Sequence, residues 1–140
     1  MPLYHINFHT LDSKPIFEDD MYDQLLRTSL RDIIRKHKII CLAWKVMPTH
    51  VHMLIEDFPD FPCKKIVNYV KGAASHAFFA AYPELRADLM GGHLWTKSYH
   101  FVQVKTHRQF LATLHYIRTN RERIDLPPPA LLKPATQEHE

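Results

Sequence analysis

The sequence predicts an α+β fold: a four-stranded antiparallel sheet built in the order βαββαβ, two packed helices, and a further C-terminal helix. Three observations predict it. Residues Leu3 to Thr10 alternate Tyr4, Ile6 and Phe8 with His5, Asn7 and His9, the period-two pattern of a strand with one buried face. Met21, Tyr22, Leu25, Leu26, Leu30, Ile33 and Ile34 then recur at three- and four-residue spacing, which is helical. Two further apolar runs meet at Pro48-Thr49, a turn that folds them into a hairpin.

After the first strand, Asp12-Ser13-Lys14-Pro15 makes a turn or short loop. The first helix runs from about Asp19 to His37, with Asp19 or Asp20 placed to cap its start. Arg27, Arg31 and Arg35 form one basic stripe along it, either a solvated face or a phosphate contact. Lys38 to Met47 is an apolar, β-rich run that reads as a strand buried on both faces, and His50 to Ile55 is its hairpin partner.

Asp57 to Pro62 is a Pro-punctuated loop in which Asp60 can cap the second helix. That helix packs through Ile66, Val67, Val70, Ala73, Ala74, Ala77 and Phe78, and ends at Tyr82-Pro83. Gly72 sits mid-helix at a cost of about 1 kcal/mol relative to Ala, which marks a tight contact with a neighbouring backbone or a ligand. Gly91-Gly92-His93-Leu94-Trp95 leads into a fourth strand through Tyr99, Phe101 and Val104. Thr106 caps a third helix with an apolar stripe of Phe110, Leu111, Leu114 and Ile117. Two split βαβ halves of this kind most economically form the ferredoxin-like arrangement, leaving one sheet face open to the third helix.

The 140 residues make one domain, residues 1–124, followed by a Pro-rich arm or disordered tail over 125–140. Cys41 and Cys63 are the only cysteines and form no CxxC pair, so neither a disulfide framework nor a thiolate zinc site is indicated. No signal peptide and no membrane-spanning apolar run is present, so a cytoplasmic protein is expected. A net charge of +3 permits a nucleic-acid partner without requiring one.

The chemistry centres on Met47-Pro48-Thr49-His50-Val51-His52-Met53-Leu54-Ile55. Side chains two apart on a strand share a face, so His50 and His52 stand about 6–7 Å apart at their Cα atoms and can converge on one cation. With eleven histidines in 140 residues, about one His-x-His is expected by chance, and the pair gains meaning only from its surroundings. On the third helix Tyr116 lies well off the apolar stripe, and Asn120, four residues on, shares its face. The alternative for both is an ordinary polar surface.

These residues carry a resemblance. The His50-Val51-His52 stretch is similar to the His-hydrophobic-His (HUH) signature of the IS200/IS605-type Y1 transposases, a group that includes the REP-associated tyrosine transposases. His115-Tyr116-Ile117-Arg118-Thr119-Asn120 resembles their Tyr-x-x-x-Gln/Asn helix, Tyr69-Val70-Lys71-Gly72 their Lys-Gly helix, and Leu94-Trp95 with Ser98-Tyr99 their Leu-Trp…Ser/Gly-Tyr lead-in to a strand. The similarity runs from Tyr4 to about Asn120 with the motifs in the same order. One departure is Thr49, where relatives commonly have Asp or Asn.

The resemblance implies a ferredoxin-like homodimer that cuts and rejoins single-stranded DNA, often at imperfect hairpins, through a 5′-phosphotyrosine link. By position Tyr116 would be the nucleophile, with His50, His52 and Asn120 holding Mg²⁺ or Mn²⁺. Lys71, Lys97 and Arg118 would contact DNA and Trp95 stack on a base, although Trp95 could instead cover a helix end. A phenol is a weak nucleophile at neutral pH, so transfer to it needs a cation to stabilise developing charge. Two rival readings are a binding module without catalysis, such as a domesticated or inactive relative, and a zinc hydrolase. The first leaves the His pair and Tyr116 unexplained, and for the second no His-x-His-x-Asp-His continuation follows His52.

Overall fold

A computed structural model describes residues 2–89 and 92–119 and the backbone of Ala135–Glu138. The elements run β1 (Leu3–His9), α1 (Asp20–Lys36), β2 (Cys41–Val46), β3 (His50–Glu56), α2 (Cys63–Ala81), α3 (Glu84–Asp88), β4 (Ser98–Val104), α4 (His107–Thr119) and β5 (Ala135–Glu138). The sheet order is β2-β3-β1-β4-β5, every neighbouring pair antiparallel. Its first four strands are the ferredoxin-like sheet expected from the sequence. β5 is an addition: it comes from the stretch read as an arm or tail and pairs along the outer edge of β4. The 124/125 boundary itself lies outside the described residues.

Alternation along β1 decides what each face of the sheet carries. Ile6 and Phe8, fully buried, join Val51, Met53 and Ile55 of β3 in the main core. α1 and α2 close over this face with Leu26, Leu30, Ile66, Val70 and Phe78. Trp95 completes it, its ring meeting Phe8 edge to face at 4.8 Å. On the opposite face a smaller cluster of Leu54, Val104 and Ile117 seats α4, with Leu3, Phe110, Leu114 and Tyr116 packed around it. The third helix of the sequence reading, α4, thus covers part of the face that α1 and α2 leave open.

Several local expectations change. β2 is an edge strand, with Ile40 just before it and Leu42 within it exposed, so it is not buried on both faces. The side chain of Asp19 caps α1 by accepting from the Met21 and Tyr22 N–H groups. At α2 it is Asp57, not Asp60, whose carboxylate takes the first free amide, that of Cys63, at 2.6 Å. Pro62, at the N-cap position, supplies no side-chain cap of its own. On α4 Leu111 is exposed and Thr113 is buried in its place, three residues from Phe110 and four from Ile117 on the packed face. Its hydroxyl, like others inside helices, donates back to a carbonyl, that of Gln109.

Gly72 makes no tight contact: a Cβ there would meet nothing within 4 Å. It borders a cleft of about 500 Å³ between α2 and the lead-in to β4, lined also by Lys71, Trp95 and Lys97. Among the described residues no helix is long and apolar enough to cross a membrane.

Candidate active site

The hairpin between β2 and β3 sets the position of the His pair. Met47 N–H donates to His50 O at 2.7 Å, and the Thr10 N–H donates to Thr49 O at 2.9 Å, pinning the turn to the end of β1. β1 and β3 are in register with His9 opposite His50 and Asn7 opposite His52, while β4 places His100 opposite Asn7. Residues directly opposite one another on antiparallel strands project to the same face. One face therefore gathers His5, Asn7, His9, His50, His52 and His100.

His50 Nε2 and His52 Nε2 lie 3.0 Å apart. That is a hydrogen-bond distance, and it is also the separation of two nitrogens about 2.1 Å from one cation at an angle near 90°. The other ring nitrogen of each is engaged elsewhere. His50 Nδ1 lies 2.9 Å from the Thr49 hydroxyl, and His52 Nδ1 lies 3.0 Å from His5 Nε2.

Burial favours the neutral form of His5, His9, His50 and His52. It pushes His50 and His5 down to about 4, and the neighbouring His9 and His5 add to the effect at His50. His52 is lowered well below its ordinary range by burial first and then by His5, His50 and His9. His9, stacked on His50 at 4.8 Å, is lowered by burial and by His100. Neutral imidazoles are what a cation requires as ligands. Among the described residues no group of three His, Cys, Asp or Glu side chains is placed to hold a metal. Asn120, the third ligand expected from the sequence, lies outside the described residues.

α4 brings Tyr116 over the pair. Half-buried at the edge of the Leu54–Ile117 cluster, its ring meets His52 edge to face at 5.2 Å and His5 at 6.1 Å. Lys45 Nζ donates to the Arg118 carbonyl at 3.0 Å and ties the last turn of the helix to β2. Tyr116 and the two histidines thus meet within one chain.

The residues expected to touch DNA divide differently. The Trp95 ring belongs to the core, with its indole N–H donating to Lys71 O at 3.1 Å, so it covers a helix and is not free to stack on a base. Lys71 is 8% exposed and its ammonium donates to the Thr96 and Ser98 carbonyls. A phosphate contact would compete with those bonds. Lys97 and Arg118 are exposed. In the basic stripe of α1, Arg27 is paired with the buried Asp23 at 2.8 Å, and Arg31 lies over Trp44. None of the residues lining the cleft at Gly72 belongs to the imidazole group.

Residue-by-residue reading did not assign His5, His9 or His100. The signal was present in β1, where His5, Asn7 and His9 alternate with the apolar face, but only the strand register ties that face to the His pair.

A ferredoxin-like sheet with paired imidazoles on its open face, and a helix laying a tyrosine against them, defines the class: an α+β domain of ferredoxin-like topology. The chain belongs to the IS200-like transposase family, whose model matches residues 2–120. It is 39% identical over 74 residues to the ISDra2 transposase TnpA of Deinococcus radiodurans, a match that spans 53% of this chain and 53% of that protein. The chain therefore aligns with about half the length of this curated relative. Among solved structures, a protein from Deinococcus radiodurans R1 assigned as a transposase superposes with a TM-score of 0.66 at 29% identity, covering 86% of this chain and 92% of that one. A REP-associated tyrosine transposase bound to a REP hairpin has the same fold, with a TM-score of 0.66 at 14% identity over 96% of this chain and 75% of that one.

Proposed function

We propose that this chain is a DNA transposase that cuts and rejoins single-stranded DNA through a covalent bond to Tyr116. The observation that carries this reading is the placement of the Tyr116 ring 5.2 Å from His52, whose Nε2 is 3.0 Å from that of His50. As the Tyr116 oxygen bonds to phosphorus, the bond from phosphorus to the 3′ oxygen breaks. That oxygen takes up a proton equivalent to the one the phenol gives up. The product is a 5′-phosphotyrosine and a free 3′ hydroxyl, and attack by a 3′ hydroxyl on the ester restores the phosphodiester without an external energy source.

Held by His50 and His52, with Asn120 as a further donor, Mg²⁺ or Mn²⁺ would polarise the phosphate and offset the charge that develops on its oxygens. The chain's own contribution is placement: neutral ring nitrogens turned toward each other, and a tyrosine fixed against them by the packing of α4. Two protein nitrogens leave room for phosphate oxygens, which suits a substrate that must bind and leave. The partner DNA is expected to include imperfect hairpins, and the acting species is expected to be a homodimer.

Incubation with labelled single-stranded DNA from the flanks of the gene and Mg²⁺ or Mn²⁺, followed by a denaturing gel, tests the reading. A protein–DNA band that needs metal and disappears in Tyr116→Phe supports it. Tight binding to the same DNA without a metal-dependent band would instead favour a binding protein that has lost the reaction.

A further inference from the structure

We infer that His5 is a positioning residue of the paired-imidazole site, accepting the proton of His52 Nδ1 so that the Nε2 lone pair of His52 is left facing His50. This rests on the reading of His50 and His52 as metal ligands.

The argument begins with what is unusual about His5. It is 3% exposed, and its partners across the sheet are the apolar Leu54 and Val102. A buried imidazole in such surroundings costs free energy unless its nitrogens are bonded. If the position served packing alone, a Phe would fill it without that cost. His5 Nε2 instead lies 3.0 Å from His52 Nδ1. The residue directly opposite His52 is Asn7, whose side-chain oxygen is 3.1 Å from His100 Nδ1. The diagonal neighbour holds the ligand, while the direct neighbour holds another histidine.

Proton placement gives this bond its consequence. A neutral imidazole carries one N–H, on either nitrogen. With the proton of His52 on Nδ1 and donated to His5, Nε2 carries a lone pair turned toward His50 Nε2, 3.0 Å away. Were His5 the donor, His52 would carry its proton on Nε2 and could not ligate. His5 must therefore keep its own proton on Nδ1. At His50, the Thr49 hydroxyl meets Nδ1 at 2.9 Å; without metal it donates there while His50 Nε2–H donates to His52 Nε2, and it can accept from Nδ1 once a cation replaces that proton. His50 and His52 thus each have an outer partner of their own, the arrangement that fixes ring orientation at imidazole-bound metals.

Two measurements on the full chain test this. The first is long-range ¹H–¹⁵N NMR of the metal-free protein, which reads the tautomer directly: His52 protonated on Nδ1 supports the inference, and His52 protonated on Nε2 overturns it whether or not metal binds. The second is Mn²⁺ titration of the wild type, His5→Phe and His5→Gln, with thermal melts of each. His5→Phe keeps the volume and removes the acceptor, and should weaken Mn²⁺ binding by about 10–100-fold. His5→Gln offers an oxygen near the place of Nε2 and should recover most of that loss. Equal affinity in wild type and His5→Phe, or equal loss in both folded variants, would overturn the role. Absence of Mn²⁺ binding in the wild type would defeat the ligand reading of His50 and His52 instead, and the NMR result would still decide the tautomer.

Discussion

The ring of Tyr116 stands nearly perpendicular to that of His52, at 84°, with centroids 5.2 Å apart in the same chain. Both halves of the proposed active site are therefore present in a single chain. A mixture of a His50→Ala, His52→Ala chain with a Tyr116→Phe chain, equilibrated to allow subunit exchange, should form no more covalent DNA adduct than either alone. Adduct restored by mixing would show that the tyrosine serves the histidines of a partner subunit.

The seat of α4 is small and therefore sensitive. Ile117 is fully buried against Leu54 and Val104, one residue from Tyr116. Ile117→Ala should cost about 2–4 kcal/mol in urea unfolding. Where the variant remains folded, its adduct rate should fall further than that of Leu111→Ala, because Leu111 on the same helix is exposed.

Acid should weaken the metal-free fold before the carboxylates titrate. His5 and His50 are pushed from an ordinary 6.5 down to about 4 in the folded state, chiefly by burial. The unfolded chain then binds protons that the folded chain refuses, so stability is full above about 6.5 and declines as pH falls toward about 4. The urea midpoint of chelator-treated protein should be flat above pH 6.5 and already lower at pH 5.5, above the usual Asp and Glu range. A midpoint unchanged between these two values would contradict the buried neutral state.

Gly72→Ala should stabilise the protein by about 0.5–1 kcal/mol, raising Tm, since the new methyl meets nothing and the helix loses a glycine. An unchanged or lowered Tm would mean that the helix needs its glycine for a reason the surrounding atoms do not reveal.

Much of this architecture was legible in the sequence because it rests on local pattern. The alternation of Tyr4, Ile6 and Phe8 and the spacing of Leu26, Leu30 and Ile33 are each readable within a few residues. The placement of Tyr116 off the apolar stripe of its helix was equally local, and its half-buried position at the cluster edge agrees with that. What was not legible depends on partners distant in the chain. Nothing near His5 announces that it meets His52, forty-seven residues later. Trp95 and Lys71 look like an aromatic and a cation available to DNA until the fold turns them on each other. β2 is apolar enough to be central, and only the strand order makes it an edge. Asp57 and Asp60 are equally plausible caps for α2, and the path of the loop chooses between them.

The two faces of β1 store different kinds of information in alternate positions. Tyr4, Ile6 and Phe8 secure the fold, while His5, Asn7 and His9 belong to the site, and neither set needs the other's residue types. The arrangement separates the two by parity, so the site face can change residue by residue with the core intact. It also leaves β1 intolerant of length changes: one residue inserted or deleted within it would exchange the faces. Imidazoles would then enter the main core and Ile6 and Phe8 would lie beside the tyrosine. Over evolutionary time, substitution at the histidine positions and strict conservation of strand length should therefore go together.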